Sequence, residues 1–147
     1  MTLDTYGYKL IQQFEGLKLK AYQDSVGIWT IGYGNITYTN GKKVKKGDTI
    51  TREEAEIMFK NTANNFAIKV RKLIDVSLTQ NQFNALVSLA YNIGLGAFEK
   101  STLLKLVNSS PNSPAIKDQF LRWKFAGGKE IKGLLNRRIK ESEVYFS

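Results

Sequence analysis

The stretch FEGLKLKAYQDSVGIWTIGYGN, residues 14–35, guides the interpretation of the whole chain. It begins like the end of an amphipathic helix and continues into a segment rich in aromatic residues and glycine. It holds only two acidic residues, Glu15 and Asp24, although the chain carries a formal net charge of +9. A threonine, Thr30, follows them among apolar neighbours. These three side chains are therefore the first candidates for chemistry.

The N-terminal third of the chain changes from helical to strand-forming character. A helix is expected over residues 4–15, because apolar residues recur there at helical spacing. Asp4 is a suitable N-cap, and Gly16 stands where such a helix would end. The aromatic and β-branched residues that follow are interrupted by glycine-containing turns. They predict a small antiparallel sheet of two or three strands within residues 16–50.

Helical patterns dominate the rest of the chain. Thr51 and Thr79 each precede a glutamate or glutamine by three residues, a capping box typical of helix starts. Helices are expected over 52–74, over 80–92, from Ser101, from Ser113-Pro114 towards Phe125, and over 133–145. Ala126-Gly127-Gly128 is expected to break the helix that starts at Ser113-Pro114. The sequence thus predicts an α+β protein forming one domain over residues 1–147. A β-rich lobe would occupy about 16–50, and a helical lobe 51–147 together with the N-terminal helix.

Composition limits the chemistry that the chain can perform. It contains no cysteine and no histidine, which excludes Cys/His zinc sites and Ser-His or Cys-His nucleophiles. General acid–base catalysis would have to use carboxylates, lysine or tyrosine. We expect no cofactor and no metal. The charge, from 22 basic and 13 acidic residues, suggests a polyanionic partner: nucleic acid, an anionic membrane or an anionic cell wall. Neither a signal-peptide pattern nor an apolar run of membrane-spanning length is seen.

Glu15, Asp24 and Thr30 could act together. Glu15 would lie at the negative end of a helix dipole, which favours the protonated form that a general acid needs. Asp24 would stay ionised in a polar turn, and Thr30 could hold a water. Enzymes that cleave glycosidic bonds usually use two carboxylates that lie in different environments. A simpler interpretation pairs Glu15 with a surface lysine and lets Asp24 only shape a turn.

The spacing Glu-x8-Asp-x5-Thr, set in F-E-G…Y-x-D…W-T-I-G-x-G, resembles the catalytic signature of the phage T4-type lysozymes, glycoside hydrolases of family 24. Three later blocks also resemble that family, and they occur in the same order. They are 51–55, at the start of the helix after the sheet, 82–94, resembling a central buried helix, and 122–141, resembling the C-terminal pattern of the shorter lambdoid members. The resemblance covers nearly the whole chain.

The resemblance implies a lysozyme-like fold and an endolysin-type muramidase. Such enzymes hydrolyse the β-1,4 bond between N-acetylmuramic acid and N-acetylglucosamine in bacterial peptidoglycan. By position, Glu15 matches the proton donor. Asp24 matches the carboxylate that stabilises positive charge and helps to position water, and Thr30 completes the triad. T4-type enzymes follow an inverting route, which requires room for water between the two carboxyl groups.

The resemblance also implies residues around this triad. Ile36, Tyr91 and Ser101 fall where the family lines its sugar-binding groove, although Tyr91 could be core and Ser101 could be a helix N-cap. Arg137 looks like the family's arginine near the catalytic glutamate. Its alternative role is part of a solvated basic face. An arginine beside Glu15 would oppose the effect of the helix end.

One position departs from the family pattern. The family commonly has histidine after the G-x-G that follows the triad threonine, whereas this chain has Asn35. Asparagine can donate and accept hydrogen bonds but carries no charge. We therefore expect an altered stability or pH dependence with an unchanged mechanism.

Other functions remain as alternatives. A lytic transglycosylase would act on the same bond. A basic nucleic-acid-binding module could use the lysine run within 42–46, although no recognition motif accompanies it. A wall-binding or membrane-active protein could use the basic segment 132–140.

The endolysin interpretation also carries expectations about partners and location. Peptidoglycan would be the substrate, with no specific nucleic-acid partner. The protein would be a monomer that stays in the bacterial host cytoplasm until a phage holin permeabilises the membrane. It would then reach the cell wall or periplasm.

Overall fold

The structure, a computed structural model, describes residues 1–147 and contains seven helices and four short strands. The elements are α1 (Thr5–Glu15), β1 (Lys18–Gln23), β2 (Trp29–Gly32), α2 (Arg52–Leu73), α3 (Gln80–Ile93), α4 (Leu95–Glu99), α5 (Thr102–Ser109), α6 (Ile116–Leu121), β3 (Phe125–Ala126), β4 (Lys129–Glu130) and α7 (Lys132–Tyr145). The predicted α+β class, with a small N-terminal sheet and a mainly helical body, is confirmed.

The first helix and the sheet form where the sequence predicted them. Asp4 caps α1 by accepting a hydrogen bond from the Gly7 amide over 2.9 Å. Gly16 ends the helix with φ +67°, a left-handed value that glycine adopts without steric cost. Strands β1 and β2 pair antiparallel, with Tyr22 opposite Thr30. The sheet has two strands, and single bridges extend it along residues 35–49.

The two long helices begin at the predicted capping boxes. In α2 the Glu54 amide donates to Thr51, and the Glu54 carboxylate accepts from the Thr51 amide. Thr79 and Gln82 repeat this arrangement at the start of α3. Nine consecutive residues of α3, 82–90, are buried, because α1, α2 and α7 all pack around it. Helix α3 is therefore the centre of the helical body.

Three details of the C-terminal half differ from the prediction. Helix α6 begins at Ile116 rather than directly after Ser113-Pro114, and no side chain caps it. The Ser113 hydroxyl instead accepts from the Ala115 amide within a turn. The break predicted at residues 126–128 is a hairpin, since Gly127 and Gly128 both adopt positive φ and join β3 to β4. The short helix α4 was also not anticipated.

The hydrophobic core is divided into two clusters that border a cleft. Twenty-one buried residues form the core of the helical body, and six form a smaller core behind the sheet. Tyr33 packs against both clusters, and its ring centroid lies 5.2 Å from that of Phe59 in α2. The segment after β2 therefore connects the two cores and lies at the base of the cleft. None of the helices is both long and apolar enough to cross a membrane.

Candidate active site

Glu15 is the last residue of α1, and its side chain is 16% exposed. Its carboxylate oxygen Oε2 accepts a hydrogen bond from Nη1 of Arg137 over 2.5 Å. The Arg137 side chain is only 4% exposed, so the pair is largely shielded from water. The structure thus places Arg137 beside Glu15, and the interpretation of Arg137 as part of a solvated basic face is wrong. Glu15 also does not pair with a surface lysine.

Arg137 is itself held by several partners. Its Nε donates to Oε2 of Glu141 over 3.1 Å, and its Nη2 donates to the carbonyl of Ser88 over 3.0 Å. The Ser88 hydroxyl donates to the same Glu141 oxygen over 2.5 Å. The guanidinium also lies 5.4 Å from the centroid of the Phe14 ring. Since each of its three nitrogens has a partner, Arg137 presents Nη1 to Glu15 in one orientation.

Glu141 is fully buried between two arginines of α7. Its Oε1 lies 2.7 Å from Nε of Arg138, although the N–H does not point squarely at that oxygen. Burial lowers the pKa of Arg138, and the neighbouring Glu141 carboxylate opposes that effect. Sequence reasoning matched Glu141 to a family pattern but gave it no role, and it missed Ser88. The signal for Glu141 was its i, i+4 spacing from Arg137, which places both on one helix face.

Gly34 allows the backbone to approach the Glu15 carboxylate closely. A β-carbon built on Gly34 would lie 2.9 Å from Oε1 of Glu15, closer than real contacts allow. Gly34 also has φ +83°, in the region that favours glycine. Strand β2 thus leads into a turn that passes directly beside the candidate acid. The G-x-G motif that follows Thr30 carries this signal in the sequence.

Asp24 organises the turn between β1 and β2. Its Oδ1 accepts hydrogen bonds from the amides of Val26, over 3.0 Å, and Ile28, over 2.8 Å. The turn-shaping role considered for Asp24 is therefore real. The other oxygen, Oδ2, has no hydrogen-bond partner in the protein, and no basic side chain forms an ion pair with this carboxylate. Asp24 is thus fixed through one oxygen while the other is free to interact with a ligand or water.

Thr30 and Tyr22 face each other across the two-stranded sheet. Thr30 is 4% exposed, and its hydroxyl donates to the carbonyl of Ile28 over 2.9 Å. Its oxygen can still accept a hydrogen bond from a water or substrate. Burial, followed by the negative charges of Glu15 and then Asp24, raises the pKa of the Tyr22 phenol. Tyr22 therefore lies within the electrostatic field of both carboxylates, and sequence reasoning did not identify it as a site residue.

Ile36 and Tyr91 line one pocket next to Glu15. Ile36 is 49% exposed, and the pocket of about 240 Å³ also includes Gly34, whose backbone approaches the Glu15 carboxylate. The Tyr91 hydroxyl donates to the carbonyl of Tyr33 over 2.7 Å. Burial, reinforced by the charge of Glu15, raises the pKa of Tyr91. The Tyr91 hydroxyl is therefore fixed as a donor, and its ring is the part that borders the pocket.

Ser101 serves as a helix N-cap. Its hydroxyl accepts from the Leu104 amide over 3.1 Å and donates to the Phe98 carbonyl over 2.6 Å. Ser101 is 5% exposed, and it lines none of the pockets near Glu15. Of the two roles considered for Ser101, the structure supports the helix N-cap. Its buried hydroxyl already donates one hydrogen bond and accepts another, so it is not available to a sugar.

Asn35 takes the place of the family's histidine in a neutral hydrogen bond. Its Nδ2 donates to Oγ1 of Thr62 in α2 over 2.8 Å, and its side chain is buried. Its backbone N–H and C=O both pair with Ile31. The Asn35 Oδ1 is buried without a partner. This hydrogen bond between the segment after β2 and α2 therefore contains no titrating group.

Comparisons with known proteins identify the family of this chain. The family model for phage lysozyme matches residues 12–141. The chain is 43% identical, over 149 aligned residues, to the endolysin of Bacillus phage PZA, matching along its whole length. It is 40% identical over 147 residues to the endolysin of Salmonella phage P22.

The extent of these matches differs. The chain spans 56% of the Bacillus phage PZA protein and 99% of the Salmonella phage P22 protein. Its fold superposes on the structure of an endolysin from Escherichia coli O157:H7 phage FAHEc1 with a TM-score of 0.90 and 42% identity. That superposition covers 100% of this chain and 94% of the other. From the family match, the identities and the fold together, this chain belongs to the phage lysozyme family.

Proposed function

We propose that the chain is a muramidase. It hydrolyses the β-1,4 bond between N-acetylmuramic acid and N-acetylglucosamine in peptidoglycan and so lyses a bacterial host cell. One observation carries the proposal: Glu15 is held at a helix end by Arg137 and lies against Gly34, which lines the same pocket as Ile36 and Tyr91. A second carboxylate, Asp24, has a free oxygen in the adjoining turn.

Glu15 acts as the general acid. Protonation of the glycosidic oxygen breaks the bond to the leaving sugar and leaves Glu15 as a carboxylate. The C-terminal end of α1 disfavours that charge, whereas the Arg137 guanidinium at 2.5 Å stabilises it. These two effects oppose each other. Arg137 is therefore placed to stabilise the carboxylate that proton transfer leaves on Glu15.

Asp24 and Thr30 position water and stabilise the transition state. The free Oδ2 of Asp24 can accept a hydrogen bond from the attacking water and attract the positive charge that develops on the sugar ring. The Thr30 oxygen can hold the same water. Tyr22 lies within the electrostatic field of both carboxylates. Attack from the face opposite the leaving group, the inverting route, is part of this proposal.

The substitution Glu15→Gln tests the assignment of the acid. Glutamine keeps an oxygen that can accept from Arg137 but carries no proton to donate to the glycosidic bond. We expect clearing of purified peptidoglycan to be lost while the circular dichroism spectrum and melting temperature stay close to those of the wild type. Clearing at near wild-type rate would show that Glu15 is not the acid.

Product analysis tests the reaction type. Mass spectrometry of digested peptidoglycan should reveal reducing-end muramic acid, formed by addition of water. A terminal anhydro-sugar would instead identify a lytic transglycosylase. Glycan that stays intact, with no new chain ends, would indicate a wall-binding protein without hydrolytic activity.

The proposal includes the route to the wall. A monomer made in the host cytoplasm would reach peptidoglycan after a holin permeabilises the membrane. Expression with and without a holin in the same bacterial strain tests this step. We expect the turbidity of the culture to fall only when both proteins are present, and lysis without the holin would contradict this part.

A further inference from the structure

A second pocket continues the cleft beyond Ile36 and Tyr91. It has a volume of about 270 Å³ and lies between the segment 37–39 and the middle of α2. It shares Thr37, Thr62 and Phe66 with the pocket next to Glu15, so the two form one continuous groove. Nothing in the proposed reaction at Glu15 uses this part of the groove.

The walls of this second pocket carry polar side chains that have no partner in the protein. Five of them make no side-chain hydrogen bond and no ion pair: Thr37, Thr39, Asn61, Asn65 and Lys69. Three come from one face of α2, because the spacing 61, 65, 69 repeats every four residues. The pocket floor is apolar, formed by Met58, Phe66 and Leu95. This combination of free polar groups over an apolar floor suits a ligand with both polar and alkyl groups.

The charged groups that line the second pocket are positive only. Lys69 is its only charged lining residue, and no carboxylate lines it. Amide and hydroxyl groups can bind any polar ligand, but an ammonium group in a pocket that no carboxylate lines favours an anion. The ligand is therefore expected to carry a carboxylate or another anionic group that reaches Lys69.

We propose that this second pocket binds the peptide stem that the glycan carries, with Lys69 pairing to a stem carboxylate. The proposal rests on the proposed function, since the muramidase assignment makes peptidoglycan the ligand. In that polymer the lactyl carboxyl of muramic acid is used in the amide bond to the stem. The free carboxylates therefore lie on the peptide rather than on the sugars. A stem leaving a sugar near Ile36 would follow the groove towards Lys69, with its alkyl side chains over the apolar floor.

Calorimetric titration with two soluble probes tests this assignment. The first probe is a disaccharide of N-acetylglucosamine and N-acetylmuramic acid bearing a tetrapeptide, and the second is the same compound with its peptide carboxylates converted to amides. We expect the wild type to bind the first probe about fivefold more tightly than the second. This is the gain in affinity that one partly exposed ion pair contributes. Lys69→Met should remove that difference, and Lys69→Arg should retain it.

Lys117→Met is the matched control, because Lys117 is exposed on α6 and lines neither part of the groove. It should bind both probes as the wild type does. Equal wild-type affinity for the two probes would overturn the proposal. An equal loss of affinity in Lys69→Met and Lys117→Met would also overturn it, by showing a general effect of charge.

The result is distinguishable from a failure of the proposed function. Wild-type protein that releases no reducing-end muramic acid, yet binds the first probe through Lys69, would refute the muramidase and support the stem pocket. Hydrolysis with no dependence of binding on Lys69 would support the muramidase and refute the stem pocket.

Discussion

Arg137 donates to Glu15 over 2.5 Å although the two residues are 122 positions apart in the chain. One lies at the end of the first helix and the other in the last helix, α7. The contact joins them beside the buried Ser88–Glu141 hydrogen bond in the centre of the helical body. The candidate acid is thus attached to the most buried part of the molecule.

The substitution Arg137→Lys should reduce both activity and stability. Lysine keeps the charge but does not reproduce the planar set of donors that contacts Glu15, Ser88 and Glu141 together. We expect a loss of about 3 kcal/mol in the free energy of unfolding, measured in urea, because a buried ion pair is disturbed. We expect a fall in turnover on the order of 100-fold, since misplacing a catalytic group by about 1 Å has that effect.

Arg122→Lys is the control for this substitution, because Arg122 lies outside the site and forms no ion pair. It should leave turnover and unfolding unchanged. Wild-type turnover in Arg137→Lys would contradict a positioning role for the guanidinium.

The substitution Gly34→Ala should affect activity more than stability. The backbone strain of alanine at φ +83° costs about 1–2 kcal/mol, and the added methyl group meets Oε1 of Glu15. Gly41→Ala is a matched control, since Gly41 has φ +84° and a β-carbon there would have no atom within 4 Å. Both variants should lose similar stability in thermal melts. Only Gly34→Ala should lose peptidoglycan-clearing activity, and equal activity in the two variants would refute the close approach to Glu15.

The substitution Thr62→Val should destabilise the contact between the segment after β2 and α2. It removes the only side-chain partner of Asn35, whose Oδ1 is already unsatisfied. Leaving a buried amide group unpaired costs about 1–3 kcal/mol of unfolding free energy. The loss should be the same at pH 5 and pH 8 in denaturant titrations, because neither partner titrates. Thr37→Val, at an exposed position without a side-chain hydrogen bond, should have little effect.

The Tyr38–Asp48 contact should make stability depend on pH at both extremes. Its hydrogen bond of 2.6 Å lowers the pKa of Asp48, and burial together with that bond raises the pKa of Tyr38 to about 12. The Asp48 contribution is therefore present above its unfolded pKa, near 4, and is lost as the pH falls. The Tyr38 contribution is complete below its unfolded pKa, about 10, and is lost as the pH rises towards 12.

The substitution Tyr38→Phe tests this contact by urea unfolding at several pH values. The variant should be less stable than the wild type at pH 7, and the difference between the two proteins should shrink below pH 4 and above pH 10. A difference that stays constant from pH 3 to pH 11 would show that the contact does not control the pH dependence.

Local signals in the sequence predicted the helices and the sheet. Capping boxes, a terminal glycine and strand-forming residues act within a few positions of one another, so the pattern contains their effect. The hairpin at Gly127-Gly128 was mistaken for a simple break, because two glycines fit either structure until strand pairing is known. The late start of α6 reflects the turn that Ser113 caps instead of the helix.

The residues of the candidate site also differ in whether local sequence or long-range packing determines their role. Glu15, Asp24 and Thr30 are close in sequence, and their residue types and expected local environments made them candidates before any long-range contact was known. Ser88 and Glu141 acquire their roles only when α3 packs against α7, and that contact joins distant parts of the chain. Tyr22 becomes part of the site because β-pairing places it opposite Thr30. A single sequence gives only a weak indication of such long-range packing.

The ion pair between the first and last helices also has a consequence for synthesis. The ribosome releases α1 and the sheet long before α7, and domains tend to fold from the N-terminus as they emerge. Arg137 lies in α7 and therefore emerges long after Glu15, Asp24 and Thr30. A nascent chain would hold Glu15, Asp24 and Thr30 without the arginine that orients the acid. Catalytic competence would arise only once α7 has been made, so translation products shortened before it should be inactive even where their early segments are folded.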